Sequence, residues 1–462
     1  MDVSDVSRLI GGILGRPSGR ANVILLVASI CMLAAGLSCP SKEAADVSRS
    51  TRKGADLVIF FTGQELGSLR PCGCSGGQLG GLEKRPAIFD HVPASNRLIV
   101  ETGALVESDR EQDLIKFRIL FEALRLLGYD IVHLTDRDFE ITSHLGLSID
   151  RQQAFDTIHA GEDGRSRVFT ERFTVRGRDF IVNIAAWDPR VAPVESAAEL
   201  FEEIPGIPAV DILLLRDCDP DSLDALVSQV PAIDGVICPS DSDEPRLLSD
   251  PGARPLVFTV GRFGRHICRL GIAVPEQAAE PVLQFEPIPV AEGLPDDPVL
   301  VQLYRQYQQL VKDSRLLEEY PRIPLAEDLA FTGSKACKRC HEHEYDKWST
   351  KAHADALASL KAVGSEYDPE CVICHVVGME YESGFITEDK TPHLKDVGCE
   401  NCHGPGSEHA STSGQTATTQ PQMVCLDCHS PEKSTGYAGH EEEYMQKIVH
   451  WREPAAAGNV KH

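Results

Sequence analysis

Between residues 56 and 290 the chain alternates short apolar runs with amphipathic segments. Seven runs rich in Val, Ile, Leu and Phe have the length and composition of buried strands. They are 57–61, 98–100, 130–132, 180–182, 212–215, 235–237 and 256–258. Because strands that alternate with helices along a chain are typical of an α/β domain, we expect this fold class for residues 56–290.

Two helices are predicted from apolar residues that recur every three or four positions. The first spans 111–127 and ends before the helix-stopping Gly128, and its apolar positions are Leu114, Phe117, Phe121, Leu124 and Leu127. The second opens at Asp297, and its apolar stripe consists of Leu300, Leu303, Tyr304, Tyr307, Leu310, Val311 and Leu317. We expect this stripe to pack in a core or between domains. Pro321 and Pro324 then interrupt the pattern, so a further domain is expected from about residue 331.

The N-terminus has the pattern of an export signal, since Arg8, Arg16 and Arg20 precede an apolar run over 23–37. A run of about fifteen residues is short for a membrane span, which needs about 20. Residues 36–39 weakly resemble a lipoprotein processing site that ends at Cys39. Residues 1–39 are therefore interpreted as a signal peptide or a membrane or lipid anchor, and 40–55 as a linker.

The chain has 462 residues and 42% hydrophobic content, which is typical of a folded protein with more than one domain. Its net charge is −25. Such an acidic balance disfavours nucleic acids and anionic membrane surfaces as partners, and favours partners with basic docking patches. Plain solubility is the alternative explanation of the charge.

Four C-x-x-C-H motifs follow one another between residues 337 and 429. They are Cys337-Cys340-His341, Cys371-Cys374-His375, Cys399-Cys402-His403 and Cys425-Cys428-His429. This is the attachment signature of c-type haem, in which the two thiols bind the haem vinyl groups and the histidine becomes the proximal iron ligand. A zinc ribbon or redox C-x-x-C is the alternative, but neither requires a histidine after every second cysteine. The motifs predict four covalently attached haems.

Histidines are concentrated in the same region, with eleven of 16 at or beyond residue 341. Four of these are the predicted proximal ligands. The remaining seven could serve as distal ligands, and they are His343, His353, His393, His409, His440, His450 and His462.

The sequence around the motifs, over about residues 333–451, resembles the tetrahaem cytochrome c-554 family. The resemblance is carried by the motifs together with Gly333-Ser334, Tyr345, Trp348, Gly378, Gly384-Phe385 and the run 397–409. It implies a mostly helical, loop-rich haem domain, electron transfer, and export, because covalent haem attachment in bacteria takes place outside the inner membrane. By the same resemblance, His353, His409 and His450 match distal ligand positions, and one haem of the family is five-coordinate.

Residues 56–280 resemble calcineurin-like metallophosphatases of the 5′-nucleotidase type, with the metal ligands replaced. Gln64 and Leu66 stand where the Asp-x-His ligands belong, and Gly103-Ala104 replaces Gly-Asp. The family's Gly-Asn-His-Asp element is replaced by Thr-Asp-Arg-Asp at 135–138, and its Gly-His-x-His element is replaced by Cys-Pro-Ser-Asp at 238–241. Since a two-metal phosphoesterase needs these ligands together, we expect no phosphatase activity.

The nearby Cys72-Gly73-Cys74 is compatible with a structural loop, a soft-metal or thiolate site, or a disulfide to Cys218, Cys238 or Cys268. The sequence thus predicts an α/β metallophosphatase-like sandwich at 56–290, a helical linker at 291–330 and a tetrahaem domain at 331–462. The function favoured is electron transfer between redox partners. A haem oxidoreductase acting on a small nitrogen substrate and a sensor using the phosphatase-like domain are the alternatives. The predicted location is the periplasm or the outer face of the inner membrane.

Overall fold

The computed structural model describes residues 57–71, 76–147, 155–175, 178–273, 281–326, 329–418, 425–431 and 433–451. The predicted export segment and linker, the Cys72 and Cys74 pair and His462 lie outside these ranges. Within the described residues, no helix combines the length and the apolar composition that a membrane crossing requires.

Two mixed β-sheets form the N-terminal domain. The strands of the first are β1 Leu57–Thr62, β2 Arg97–Glu101, β3 Ile131–His133, β4 Asp156–Ile158, β10 His266–Ala273 and β11 Val282–Pro289. Their order in the sheet is β11-β10-β1-β2-β3-β4, in which β1 to β4 are parallel and β10 and β11 are antiparallel additions.

The strands of the second sheet are β5 Phe169–Val175, β6 Arg178–Trp187, β7 Ala209–Leu215, β8 Gly235–Cys238 and β9 Leu256–Thr259. They lie in the order β5-β6-β7-β8-β9, with β5 antiparallel to β6 and the others parallel.

Helices cover the outer faces of the sheets and dominate the C-terminal domain. Among the described residues up to 313, the helices are α1 Pro86–Phe89, α2 Glu111–Leu127, α3 Asp136–His144, α4 Glu195–Ala198, α5 Pro220–Gln229 and α6 Pro298–Asp313. The C-terminal domain contains α7 Ser334–Cys337, α8 Glu342–Trp348, α9 Ala356–Val363, α10 Pro369–Val372, α11 Cys399–His403, α12 Ser407–Ser411, α13 Cys425–Cys428 and α14 Glu441–Ile448. Short 3₁₀ helices lie at Leu82–Lys84, Ala94–Asn96, Ala352–Asp355 and Pro392–Leu394.

The two sheets pack face to face because side chains alternate along each strand. Leu57, Ile59 and Phe61 of β1 lie in the core between the sheets, whereas Val58 and Phe60 face the core that α2 and α6 cover. A third core lies under α5 on the outer face of the second sheet. The domain is therefore a four-layer sandwich with helices outside both sheets, and the α/β class predicted from the sequence is confirmed.

The strands and helices predicted from the sequence are observed at the predicted positions. All seven apolar runs overlap observed strands, and α2 spans 111–127 with Gly128 in the left-handed conformation at φ 72° as its cap. The side chain of Asp297 caps α6 by accepting hydrogen bonds from the backbone N–H groups of Val299 and Leu300. Strands β4, β5, β10 and β11 were not predicted.

The C-terminal domain has a small apolar core and is otherwise helical and rich in loops, as expected. That core contains Leu317, Leu357, Leu360, Val372, Val376, Val377, Met379, Phe385 and Leu394. Leu317, at the end of the predicted apolar stripe, packs here, while the stripe residues within α6 pack against the N-terminal domain. The stripe thus contributes to the packing of both domains.

Candidate haem sites and the interface between the domains

Each C-x-x-C-H motif is built on one turn of helix. The backbone N–H of His341 donates to the carbonyl of Cys337 over 3.0 Å, that of His375 to Val372 over 2.8 Å, and that of His429 to Cys425 over 2.7 Å. In a helical turn, residues three and four positions apart share a face. The turn therefore presents both thiols and the imidazole together, as attachment to one porphyrin requires.

The four motifs lie in two close pairs. The side chain of Cys337 lies next to that of Cys399, and the side chain of Cys374 lies next to that of Cys428. The first motif is therefore next to the third, and the second is next to the fourth. Groups attached at neighbouring motifs would lie side by side.

Three of the motif histidines face a second imidazole from elsewhere in the chain. The ring centroids are 5.8 Å apart for His341 and His409, and 6.3 Å for His353 and His429. For His403 and His450 the separation is 6.4 Å. Metal–imidazole bonds are about 2 Å long, so an iron held between two imidazoles separates the ring centroids by roughly 6 Å. The three predicted distal residues thus lie opposite three predicted proximal ones, at the spacing that bis-histidine ligation needs.

Hydrogen bonds orient several of these rings. The Nδ1 atom of His409 lies 2.7 Å from the carbonyl oxygen of Thr416, and that of His450 lies 3.0 Å from the carbonyl of Ile448. A carbonyl only accepts, so Nδ1 carries the proton and Nε2 has a free lone pair. Burial lowers the pKa of His353 and of His403, which favours the neutral, ligating imidazole. These imidazoles are therefore suited to act as ligands of haem iron.

The second motif differs from the other three. Nδ1 of His375 donates to the carbonyl of Ala356 over 2.7 Å, so its Nε2 is also available. Within the described ranges, however, no imidazole ring pairs with that of His375. Among the other candidates, the side chain of His440 is 62% exposed and lies beside Glu443, and His393 is exposed. Of the histidines that the structure describes, none is therefore stacked opposite this motif.

A cavity of about 2370 Å³ connects the second and fourth motifs with the N-terminal domain. Its wall includes Cys371, Cys374, His375, Cys425, Cys428 and His429 from the C-terminal domain. Leu66 to Pro71, Arg110 to Asp113 and Lys116 line it from the N-terminal domain. Tyr437 stacks on the ring of His429 at 5.2 Å and 16°. Apolar and aromatic groups around an imidazole are the surroundings expected of a porphyrin site.

Polar contacts hold the two domains together at the second motif. Asp368, which caps the short helix α10, accepts hydrogen bonds from the Tyr307 hydroxyl and from Nε2 of Gln112, both over 2.8 Å. Lys116 of α2 donates to Glu370 over 2.5 Å. Burial lowers the pKa of Lys116, but the carboxylate of Glu370 outweighs it, so the pKa lies above its ordinary value and the ammonium stays charged. Gln308 of α6 adds hydrogen bonds to Ser365 and Val363.

The residues that the metallophosphatase resemblance places at metal-ligand positions make contacts within the protein. Nε2 of Gln64 donates to the carbonyl of Ser240 over 2.9 Å, and Oε1 of Gln64 accepts from the backbone N–H of Ser240. Asp138 accepts from the backbone N–H groups of Ala104 and Leu105 over 2.8 and 3.0 Å. Among the residues described, no group of three His, Cys, Asp or Glu side chains could hold a metal ion.

A buried charge network that the sequence analysis did not identify lies beside these positions. Arg85 pairs with Glu65 over 2.5 Å and donates to the Tyr129 hydroxyl over 2.8 Å. The hydroxyl of Thr62 donates to Glu101 over 2.5 Å. Burial, together with the neighbouring Glu65, raises the pKa of Glu101 well above its ordinary value. The sequence analysis could not identify this network, because burial of a charge is not visible in a local pattern.

Two of the cysteines proposed as partners of the C-x-C pair bond to each other instead. Cys218 and Cys238 form a disulfide, and Cys268 is a buried free thiol. Burial raises the pKa of the Cys268 thiol, which keeps it protonated. Of the three disulfide partners suggested for Cys72 or Cys74, only Cys268 is therefore not already bonded.

Comparison with known proteins is informative for the region of the motifs. Residues 336–404 match the family described as cytochrome c554 and c-prime. The C-terminal region thus resembles this family, as its motifs predicted. It is also 39% identical over 97 residues to cytochrome c-554 of Nitrosomonas europaea, an alignment that covers 18% of this chain and 41% of that relative. The resemblance is to a family of c-type cytochromes, whose cofactor is haem c, and the alignment spans less than half of that relative's length.

Solved structures similar to this chain include phosphoesterases and nucleotidases. One is the calcineurin-like phosphoesterase YfkN of Bacillus subtilis, with 15% identity and a TM-score of 0.42 over 55% of this chain and 97% of that one. Another is a 5′-nucleotidase precursor from Thermus thermophilus, with 15% identity and a TM-score of 0.42 over 67% of this chain and 68% of that one.

Proposed function

We propose that this chain is an exported tetrahaem c-type cytochrome that carries electrons between redox partners through closely packed haems. The observation that carries the proposal is the placement of the motifs. Two sulfur contacts bring the four motifs into two pairs, and three motif histidines face a second imidazole at 5.8 to 6.4 Å. Haem supplies the one-electron chemistry when bound.

The residues of the chain have three tasks in this function. The motif cysteines, Cys337, Cys340, Cys371, Cys374, Cys399, Cys402, Cys425 and Cys428, fix each ring covalently. His341, His375, His403 and His429 are the proximal ligands, with His409, His353 and His450 opposite the first, fourth and third motifs. The polypeptide around each ring would tune its reduction potential through contacts and local charges.

The test is to purify the full chain from a host that matures c-type cytochromes and to count haem per chain. We expect about four haems that acidified acetone does not extract, and complete reversible reduction without consumption of a substrate. A colourless product, or pigment lost to acidified acetone, would refute the proposal.

A second function, oxidoreductase activity at an open haem, is favoured by the second motif. His375 pairs with no imidazole among the described residues, and an iron with one protein ligand can bind a small molecule. Turnover of nitrite, hydroxylamine or a similar nitrogen compound, together with a high-spin ferric signal, would support the enzyme. A high-spin signal without turnover would support the carrier.

Export is part of the proposal and has support beyond the N-terminal pattern. The Cys218–Cys238 disulfide suits an oxidising compartment such as the periplasm or the outer face of the inner membrane. Fractionation of cells that express the full chain would test this location. Recovery of the mature haem protein from the cytoplasm would contradict it.

The net charge of −25 supports redox partners with basic docking patches. The rate of electron exchange with a basic small cytochrome should fall steeply with ionic strength, and the rate with an acidic one should not. A rate with the basic partner that is independent of salt would contradict this docking mode.

A further inference from the structure

The contacts that join the domains are concentrated next to Cys371 of the second motif. Asp368 lies three residues before this cysteine and Glu370 directly precedes it. Both carboxylates are engaged by the N-terminal helix α2, through Gln112 and Lys116 respectively. The helix places polar groups of one domain at the haem attachment point of the other.

Lys116 is the charged member of this contact. Its residue is only 6% exposed, and its ammonium lies 2.5 Å from Oε1 of Glu370 and 3.9 Å from Oδ1 of Asp113. Lys116 and Cys371 line the same cavity. Lys116 thus contacts the residue directly before the Cys371 attachment point. A charge with so little contact with water is weakly screened, so its effect on a neighbouring redox group is large.

We propose that Lys116 is a positioning residue through which the N-terminal domain sets the reduction potential of the haem at the second motif. Reduction adds an electron to that haem, and a fixed positive charge beside it favours the reduced form. The N-terminal domain would then supply one wall and one charge of a haem site. The inference rests on the proposed function, because it requires a haem at Cys371, Cys374 and His375.

The experiment is a spectroelectrochemical titration of full-length, haem-loaded variants. In Lys116→Met, one of the four haem components should shift to lower potential, because the three carboxylates of Asp113, Asp368 and Glu370 lose their cation. Lys116→Arg retains the charge and should keep the potential near that of the wild type. Glu370→Gln removes a negative charge from the same place and should shift the same component to higher potential.

Lys84→Met is the matched control. Lys84 is a largely buried lysine of the same domain, paired with Asp296 over 2.8 Å, and it does not line the cavity. Its removal should leave all four components unchanged. Domain docking is followed in every variant by limited proteolysis, since Lys116 and Glu370 also hold the domains together.

Opposite shifts in Lys116→Met and Glu370→Gln would support the proposal, because loss of docking would move both variants in the same direction. Shifts of the same sign, an unchanged potential in Lys116→Met, or a shift in the Lys84 control would overturn it. Failure of the proposed function would look different. The wild-type chain would then lack covalent haem, whereas failure of this inference leaves four covalently attached haems.

Discussion

Removal of one distal imidazole should change the spin state of one haem in four. His409→Ala takes away the ring that lies 5.8 Å from His341 and leaves Nε2 of His341 as the only protein ligand there. Three motif histidines have an imidazole opposite and His375 has none among the described residues, so the wild type should contain about one high-spin haem per chain. The variant should contain about two.

The assay is quantitative electron paramagnetic resonance of the ferric protein, with carbon monoxide titration of the ferrous protein. The high-spin signal and the carbon monoxide stoichiometry should both double, and added imidazole should reverse the change because it replaces the missing ligand. His440→Ala is the control, since the exposed His440 pairs with Glu443 and contacts no motif histidine among the described residues. An unchanged spin state in His409→Ala, or a doubled signal in His440→Ala, would refute the ligand assignment.

Three further predictions concern the N-terminal domain and its contact with the haem domain. Tyr307→Phe removes a hydrogen bond to the buried Asp368 carboxylate and should lower the free energy of unfolding in urea by about 1.5–3 kcal/mol; an unchanged midpoint would contradict this. Burial lowers the pKa of His133 from its ordinary 6.5 to about 4, so the folded state loses stability as the pH falls from 6.5 to 4, by about 3 kcal/mol in total. His133→Gln should flatten the pH dependence of unfolding in that range, and equal slopes for variant and wild type would count against it. The purified chain should hydrolyse no generic phosphoester with added Mn²⁺, and turnover with stoichiometric bound metal would show that the site survives.

Local patterns were sufficient where a strand is a continuous apolar run or a helix has a regular apolar period. Helix α2 was predicted to the residue because its apolar period and its Gly128 cap are local signals. Strand β5 was missed because it pairs only with β6 and is largely exposed, so it lacks an apolar run. Strand β11 lies at the edge of its sheet and contains Pro287 and Pro289, which argue against a strand in a sequence. Arg269 interrupts the apolar run of β10, and its burial depends on Glu286 of the neighbouring strand.

The haem motifs could be predicted from spacing alone, whereas their arrangement could not. Which distal histidine faces which motif depends on tertiary packing, and His409 lies opposite the first motif although it follows the third along the chain. The contact of Lys116 with Glu370 joins residues that are 254 positions apart. The periodicity of apolar residues along the sequence cannot predict a contact between residues so far apart.

The amide of Gln64 has a consequence for the two loops that it joins. It bridges them by donating to and accepting from the same backbone residue, Ser240. An aspartate at position 64 would have no donor for the Ser240 carbonyl. Gln64→Asp should therefore loosen both loops, because a carboxylate can satisfy only the backbone N–H of Ser240.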